Sequence, residues 1–126
     1  MIGYATVGTN DIDKAAAFYD ALLGEMGAQR AMDMDTFKVW SNGGEAGFSI
    51  TKPFDEEPAT VGNGVMIAIA APDQATVDKL YAKAIELGAT DEGGPGMRGG
   101  DDSGFYAAYF RDLDGNKLNF FHYNQG

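Results

Sequence analysis

Gly3-Tyr4-Ala5-Thr6-Val7, then Asp11, Phe18-Tyr19 and Leu22-Leu23, is written a second time further along the chain. The copy reads Val65-Met66-Ile67-Ala68-Ile69, Asp73, Leu80-Tyr81 and Ala84-Ile85, and both copies close on Gly-Ala, at Gly27-Ala28 and Gly88-Ala89. A single self-match in 126 residues is not a solenoid, because stacked repeats need at least three units. It implies two half-domains of one plan that face each other across a cleft, where small molecules are usually held.

Each copy resolves into the same order of elements. Ile2 to Gly8 alternates small or β-branched residues and stops at Thr9-Asn10-Asp11, a strand followed by a helix N-cap. Ala15, Phe18, Tyr19, Leu22, Leu23 and Met26 recur at threes and fours, which predicts an amphipathic helix from Ile12 to Met26, weakened by Gly24 and ended by Gly27. Strand-like runs follow at Arg30 to Met34, Phe37 to Trp40 and Gly47 to Thr51, with a hairpin turn at Asn42-Gly43-Gly44. Lys52 to Asn63 has two prolines, an acidic triplet and no period, and reads as a linker. The second half predicts a strand at Val65 to Ala70, then a helix opened by Pro72-Asp73 and stopped by Gly88. Its further strands fall around Met97, at Phe105 to Phe110 and at Lys117 to Tyr123, the last two joined by the turn Asp112-Leu113-Asp114-Gly115-Asn116. The expected fold is α+β: one domain over 1–126, made of two βαβββ units at about 1–52 and 63–126 with a linker at about 53–62. Each unit is a curved mixed sheet with a helix on its outer face, and the two enclose a central cleft.

Composition narrows the function classes. A net charge of −10 with nine Lys and Arg argues against a nucleic-acid partner, which needs clustered cations. No cysteine is present, so disulfides, thiolate ligands and a cysteine nucleophile are excluded together. The longest apolar run, Val65 to Pro72, is too short to span a bilayer, so no membrane partner is expected. Met1-Ile2-Gly3-Tyr4 shows no secretory pattern and leads straight into a strand, which makes a cytoplasmic location the expectation.

The strand-Asp-Phe-Tyr opening at Asp11 and Phe18-Tyr19, together with Phe110-Arg111-Asp112-Leu113-Asp114-Gly115-Asn116-Lys117-Leu118, resembles the vicinal oxygen chelate superfamily. That superfamily includes glyoxalase I, bleomycin resistance proteins and extradiol dioxygenases. The run Gly94-Pro95-Gly96-Met97-Arg98 followed by Tyr106-Ala107-Ala108 is similar to a glyoxalase-like subgroup. The resemblance implies divalent-metal ligands, His or carboxylate, on the first and last strands of each unit. Here the matching positions hold Tyr4, Met66 and Asn119, with Gly47, Phe48 or Ser49 at the fourth. One phenol, one thioether, one amide and a weak fourth donor do not hold such an ion, so no metal and no other cofactor is expected.

The remaining polar and aromatic residues are weighed on alternation. His122, the lone histidine, falls on the strand face opposite Asn119 and reads as a partly exposed side chain rather than a general base. Gly93-Gly94-Pro95-Gly96 and Gly99-Gly100 lack a following helix and suit a mobile flap better than a phosphate cradle. Arg98 within it either anchors an anionic ligand or is solvated. The leading reading is a glyoxalase-like binder of a small organic molecule in an apolar cleft, with Tyr4 and Asn119 as polar contacts, Met66, Trp40 and Phe48 as walls and Arg98 as a lid anchor. The alternatives are a metal-dependent lyase or dioxygenase using Tyr4, Asn119 and a carboxylate or His122, and a drug-sequestering binder of the bleomycin-resistance kind. The resemblance also implies a homodimer.

Overall fold

The computed structural model of the chain describes residues 1–124. The chain divides into two compact units, Met1–Gly62 and Asn63–Gly126, each with the order βαβββ. The first unit comprises β1 (Tyr4–Gly8), α1 (Ile12–Gly24), β2 (Gln29–Asp33), β3 (Phe37–Ser41) and β4 (Gly47–Thr51). The second comprises β5 (Ile67–Ala70), α2 (Gln74–Glu86), β6 (Thr90–Arg98), β7 (Phe105–Arg111) and β8 (Lys117–Tyr123). Sheet orders are β1-β4-β3-β2 and β5-β8-β7-β6, and in each the first and last strands pair in parallel while the rest are antiparallel. The duplicated sequence is therefore a duplicated α+β unit. Among the described residues no helix is long and apolar enough to cross a membrane.

Both helices start where the repeated aspartate predicts. The Asp11 carboxylate accepts from the Lys14 N–H at 3.1 Å, and that of Asp73 accepts from the Thr76 N–H at 2.7 Å. Each cap satisfies an otherwise orphaned donor and stabilises its helix by about 1 kcal/mol. The apolar stripe of α1 lies on the sheet of the first unit: Tyr19 meets Phe48 at 4.6 Å and Trp40 at 5.8 Å between ring centroids. The stripe of α2 buries Val77, Leu80 and Ala84 completely. Two phenols pin α2 to its sheet, Tyr81 donating to Asp91 at 2.7 Å and Tyr106 to Asp78 at 2.5 Å.

The linker is more ordered than its composition implies. Asn10 donates to the Ala59 carbonyl at 3.1 Å and accepts from the Ala59 N–H at 2.7 Å, so one side chain satisfies both backbone groups of that residue. Residues 53–62 cluster with the first unit.

Asp20 on α1 ties the helix to β2 and β3. It accepts from Arg30 Nε at 3.0 Å and Nη2 at 2.7 Å, and from the Trp40 indole N–H at 2.9 Å. The Arg30 guanidinium, aided by that indole, holds the Asp20 carboxyl below its ordinary value. A carboxyl with a lowered folded-state value contributes stability that is complete above about pH 4 and is lost as pH falls through the folded-state value. Asp20→Asn is thus expected to flatten the acid side of a melting-temperature profile below about pH 4. An acid limb identical to wild type would mean that the ion pair is formed equally well in the unfolded chain.

Candidate functional site

Alternation sorts each sheet into a face under its helix and an open face. In the first unit Val7, Phe48, Ile50, Lys38 and Trp40 lie under α1, and Tyr4, Thr6, Ser49, Val39 and Phe37 lie on the open side. Trp40 and Phe48 are only 1% and 8% exposed. This corrects the expectation that they form a wall with Tyr4: one strand position separates the two sets, and an odd step reverses the face. They are core residues beneath Tyr19. Tyr4 itself is exposed, edge-on to Phe37 at 6.1 Å between centroids.

The first unit also shows why its last strand offers little to an ion. Tyr4 pairs with Gly47, which has no side chain, and Phe48 points under the helix. Ser49 Oγ lies 2.5 Å from Thr6 Oγ1 and 3.0 Å from the Ala5 carbonyl, so its hydroxyl is already committed. A cavity of about 780 Å³ lies elsewhere in this unit, between Phe37, Lys52, Phe54 and Glu56, and none of the expected site residues lines it.

The second unit gathers more of the expected set. Leu118, Phe120 and His122 alternate toward α2, and Lys117, Asn119 and Phe121 toward the open face. Asn119 is 1% exposed, and its Nδ2 donates to the Met66 sulfur at 3.3 Å. Its Oδ1 is buried with no partner among the described residues. His122 lies on the other face, with Nδ1 3.2 Å from the Ala71 carbonyl, so it cannot join Asn119 around one ion. The expected separation of these two residues holds, and the rival ligand set that combined them does not form.

The Gly93-Gly94-Pro95-Gly96 part of the glycine-rich run is strand and not flap, while Gly99-Gly100 lies just past the strand end. Gly93 to Arg98 belongs to β6, which pairs with β7 through two register shifts, between Asp91 and Gly93 and between Gly93 and Gly96. Each bulge lets the strand bend while its neighbours keep their ladder bonds, and glycine is the residue that tolerates such backbone. Arg98 ends this strand opposite Phe105, on the face that carries Asn119. Its guanidinium lies over Tyr109, 5.3 Å from the ring centroid, and Lys117 approaches the same ring at 5.5 Å. Tyr109 and Asn119 are cross-strand partners.

Two such units, with these residues at the ends of their first and last strands, have a sequence counterpart. Residues 1–120 match the Glyoxalase/Bleomycin resistance protein/Dioxygenase superfamily. The chain belongs to that superfamily. It is similar to the solved structure of a glyoxalase/bleomycin resistance protein from Albidiferax ferrireducens T118, with 35% identity, coverage of 98% of this chain and 99% of that one, and a TM-score of 0.88. A family enzyme from Burkholderia phytofirmans PsJN shares the fold at 20% identity, with 97% and 98% coverage and a TM-score of 0.75. So does a lactoylglutathione lyase from Agrobacterium tumefaciens, at 20% identity, 97% and 92% coverage and a TM-score of 0.71. No curated protein matches the chain.

For metal-using members the resemblance implies a divalent ion on first- and last-strand ligands, and the residues at those positions here do not fit one. Tyr4 is paired with a glycine, and Met66 supplies a thioether whose sulfur is occupied by the Asn119 amide. Neutral amide and thioether are poor donors for borderline divalent ions, which favour imidazole and carboxylate. Among the described residues no group of three or more His, Asp or Glu is placed to hold a metal ion. Tyr109 and Lys117 were not legible as site residues in the sequence. Alternation from Asn119 would have placed Lys117 on its face, but the partner across the ladder depends on the bulges of β6.

Proposed function

We propose that this glyoxalase-superfamily chain binds a small organic molecule and does so without a divalent ion at the inherited ligand positions. The observation that carries this reading is the buried, unpartnered Asn119 Oδ1 beside Met66. An acceptor shielded from water and left unpaired destabilises the free protein, and a donor on a bound molecule removes that penalty. The open face around it is apolar with few polar groups, the usual make-up of a small-molecule site. Phe105 and Phe121 stack there at 5.5 Å, and Met66 and Tyr109 flank the amide. Tyr4 is the polar candidate on the open face of the first unit. Arg98 and Lys117 make the second unit's face cationic, which disfavours the sequestration of a cationic drug there.

The test is incubation with Ni, Zn, Mn and Fe salts, removal of free ion, and elemental analysis. Well below one ion per chain is expected for each metal, in wild type and in Asn119→Ala alike. One tightly held ion per chain that disappears in Asn119→Ala would overturn the reading.

A further inference from the structure

Arg98 and Lys117 lie on one face of the second sheet in a chain of net charge −10. Arg30, Lys38, Lys83 and Arg111 each have a carboxylate partner. Among the described residues Arg98 and Lys117 have none, as is true of Lys14 and Lys52, but these two alone share one ring, that of Tyr109. Two cations held against one ring repel each other, and the attraction of the ring face offsets this only in part. An anion beside that ring supplies what is missing.

The strand is shaped to keep Arg98 there. Its Nη2 donates to the Gly94 carbonyl at 2.6 Å and its Nη1, at longer range, to that of Met97 at 3.4 Å. A Cβ on Gly96 would stand 2.9 Å from Nη1, and one on Gly93 would stand 3.3 Å from Nη2. Glycine at both bulges therefore leaves the space the guanidinium fills. Of its five N–H groups these bonds use two, which leaves three for an acceptor outside the protein.

Next to Tyr109 in the ladder is Asn119, whose free Oδ1 asks for a donor. Phe105 and Phe121 continue the same face with flat apolar surface. We propose that this face binds a small aromatic acid that also carries a hydroxyl or N–H donor. The carboxylate lies by Arg98 and Lys117, the donor meets Asn119 Oδ1, and the ring lies over the Phe105 and Phe121 side of the sheet. This rests on the small-molecule reading above and adds the class of the ligand.

Three probes separate the terms: 3-hydroxybenzoate, its neutral amide 3-hydroxybenzamide, and benzoate, titrated calorimetrically into the full chain. The acid is expected to bind about tenfold or more tightly than the amide, the strength of a charge-assisted hydrogen bond. Benzoate is expected to bind several-fold more weakly than 3-hydroxybenzoate in wild type and equally in Asn119→Leu. Arg98→Met is expected to weaken the acid about tenfold and leave the amide unchanged. Gly96→Ala, which crowds Nη1 without touching the core, is expected to weaken the acid while the melting temperature stays near wild type. Added salt weakens the acid alone. Equal affinity for acid and amide, or indifference of the acid to Arg98→Met, overturns the anionic class. So does failure of all three probes at millimolar concentration. The metal-free reading falls separately, by the stoichiometric ion in elemental analysis.

Discussion

Trp40→Ala is expected to cost about 3–5 kcal/mol of stability, the usual loss for emptying a buried tryptophan site. Against a total of about 5–15 kcal/mol for a domain, that is enough to leave a substantial unfolded population at physiological temperature. Three contacts fail together. The indole is 1% exposed, it packs on Tyr19 at 5.8 Å, and its N–H satisfies Asp20 at 2.9 Å. The Arg30 guanidinium also rests 5.9 Å from its ring centroid and would lose that cover. Trp40→Phe refills most of the volume but leaves Asp20 one donor short, so its loss is expected to be smaller by half or more. Urea unfolding followed by circular dichroism measures both. If Trp40→Ala shifts the midpoint no more than Trp40→Phe does, the residue is not the packing centre that its burial indicates. The same pair of variants checks the corrected placement, because a core tryptophan under α1 can be changed to Phe without altering the binding of a ligand.

How much of this was readable in the residues can be judged element by element. The helices were readable because their apolar spacing, their capping aspartates and their closing glycines all agree, and consistency across such local signals is what a sequence can display. Strand positions were readable from alternation, and so was the split of Asn119 from His122. The face that a strand turns to its helix was readable only where the β-branched set is distinct. In β3 and β4, aromatic residues occupy both faces: Phe37 lies on the open side and Trp40 and Phe48 beneath Tyr19. Aromatic character alone therefore misplaced two of the six expected site residues. The strand around Met97 is as the sequence indicates, but Gly93 to Gly96 belongs to it rather than to a flap, which the sequence hides for a different reason. Glycine weakens a strand, and only the pairing partner across the ladder shows that a bulge, rather than a loop, absorbs it. Arg98 stands out in the sequence, but the ring beneath it does not, since cross-strand neighbours depend on register and register here shifts twice.

Asp112→Ala is expected to cost about 2–4 kcal/mol, since hydrogen bonds to a charged acceptor are each worth about 1.5–3 kcal/mol and the donors it abandons are shielded. Asp112 is 5% exposed, and one oxygen accepts from the N–H groups of Asp114 and Asn116, both at 2.9 Å. The other accepts from the Asn116 side-chain amide at 3.1 Å. Backbone bonds from Asp112 to Asn116, at 2.9 Å, and from Gly115 back to Asp112, at 3.0 Å, close the same turn. The expected turn is thus held by a carboxylate turned inward on its own backbone. Its consequence reaches the site through register. The turn sets Arg111 opposite Lys117, and two steps on it sets Tyr109 opposite Asn119. A slip of one residue in β8 would exchange the faces of Asn119 and Phe120, sending an unpaired amide under α2 and a phenyl ring to the open face. Asp112→Asn keeps the acceptor for the two backbone donors but opposes amide to amide at Asn116, so an intermediate loss of about 1–2 kcal/mol is expected. Equilibrium urea unfolding orders the three proteins. If Asp112→Ala and Asp112→Asn are equally destabilised, the side-chain bond to Asn116 rather than the backbone pair holds the turn. If neither loses more than about 0.5 kcal/mol, which is within the usual range for an inconsequential surface change, the hairpin register is fixed by the packing of Phe110 on Phe120 instead.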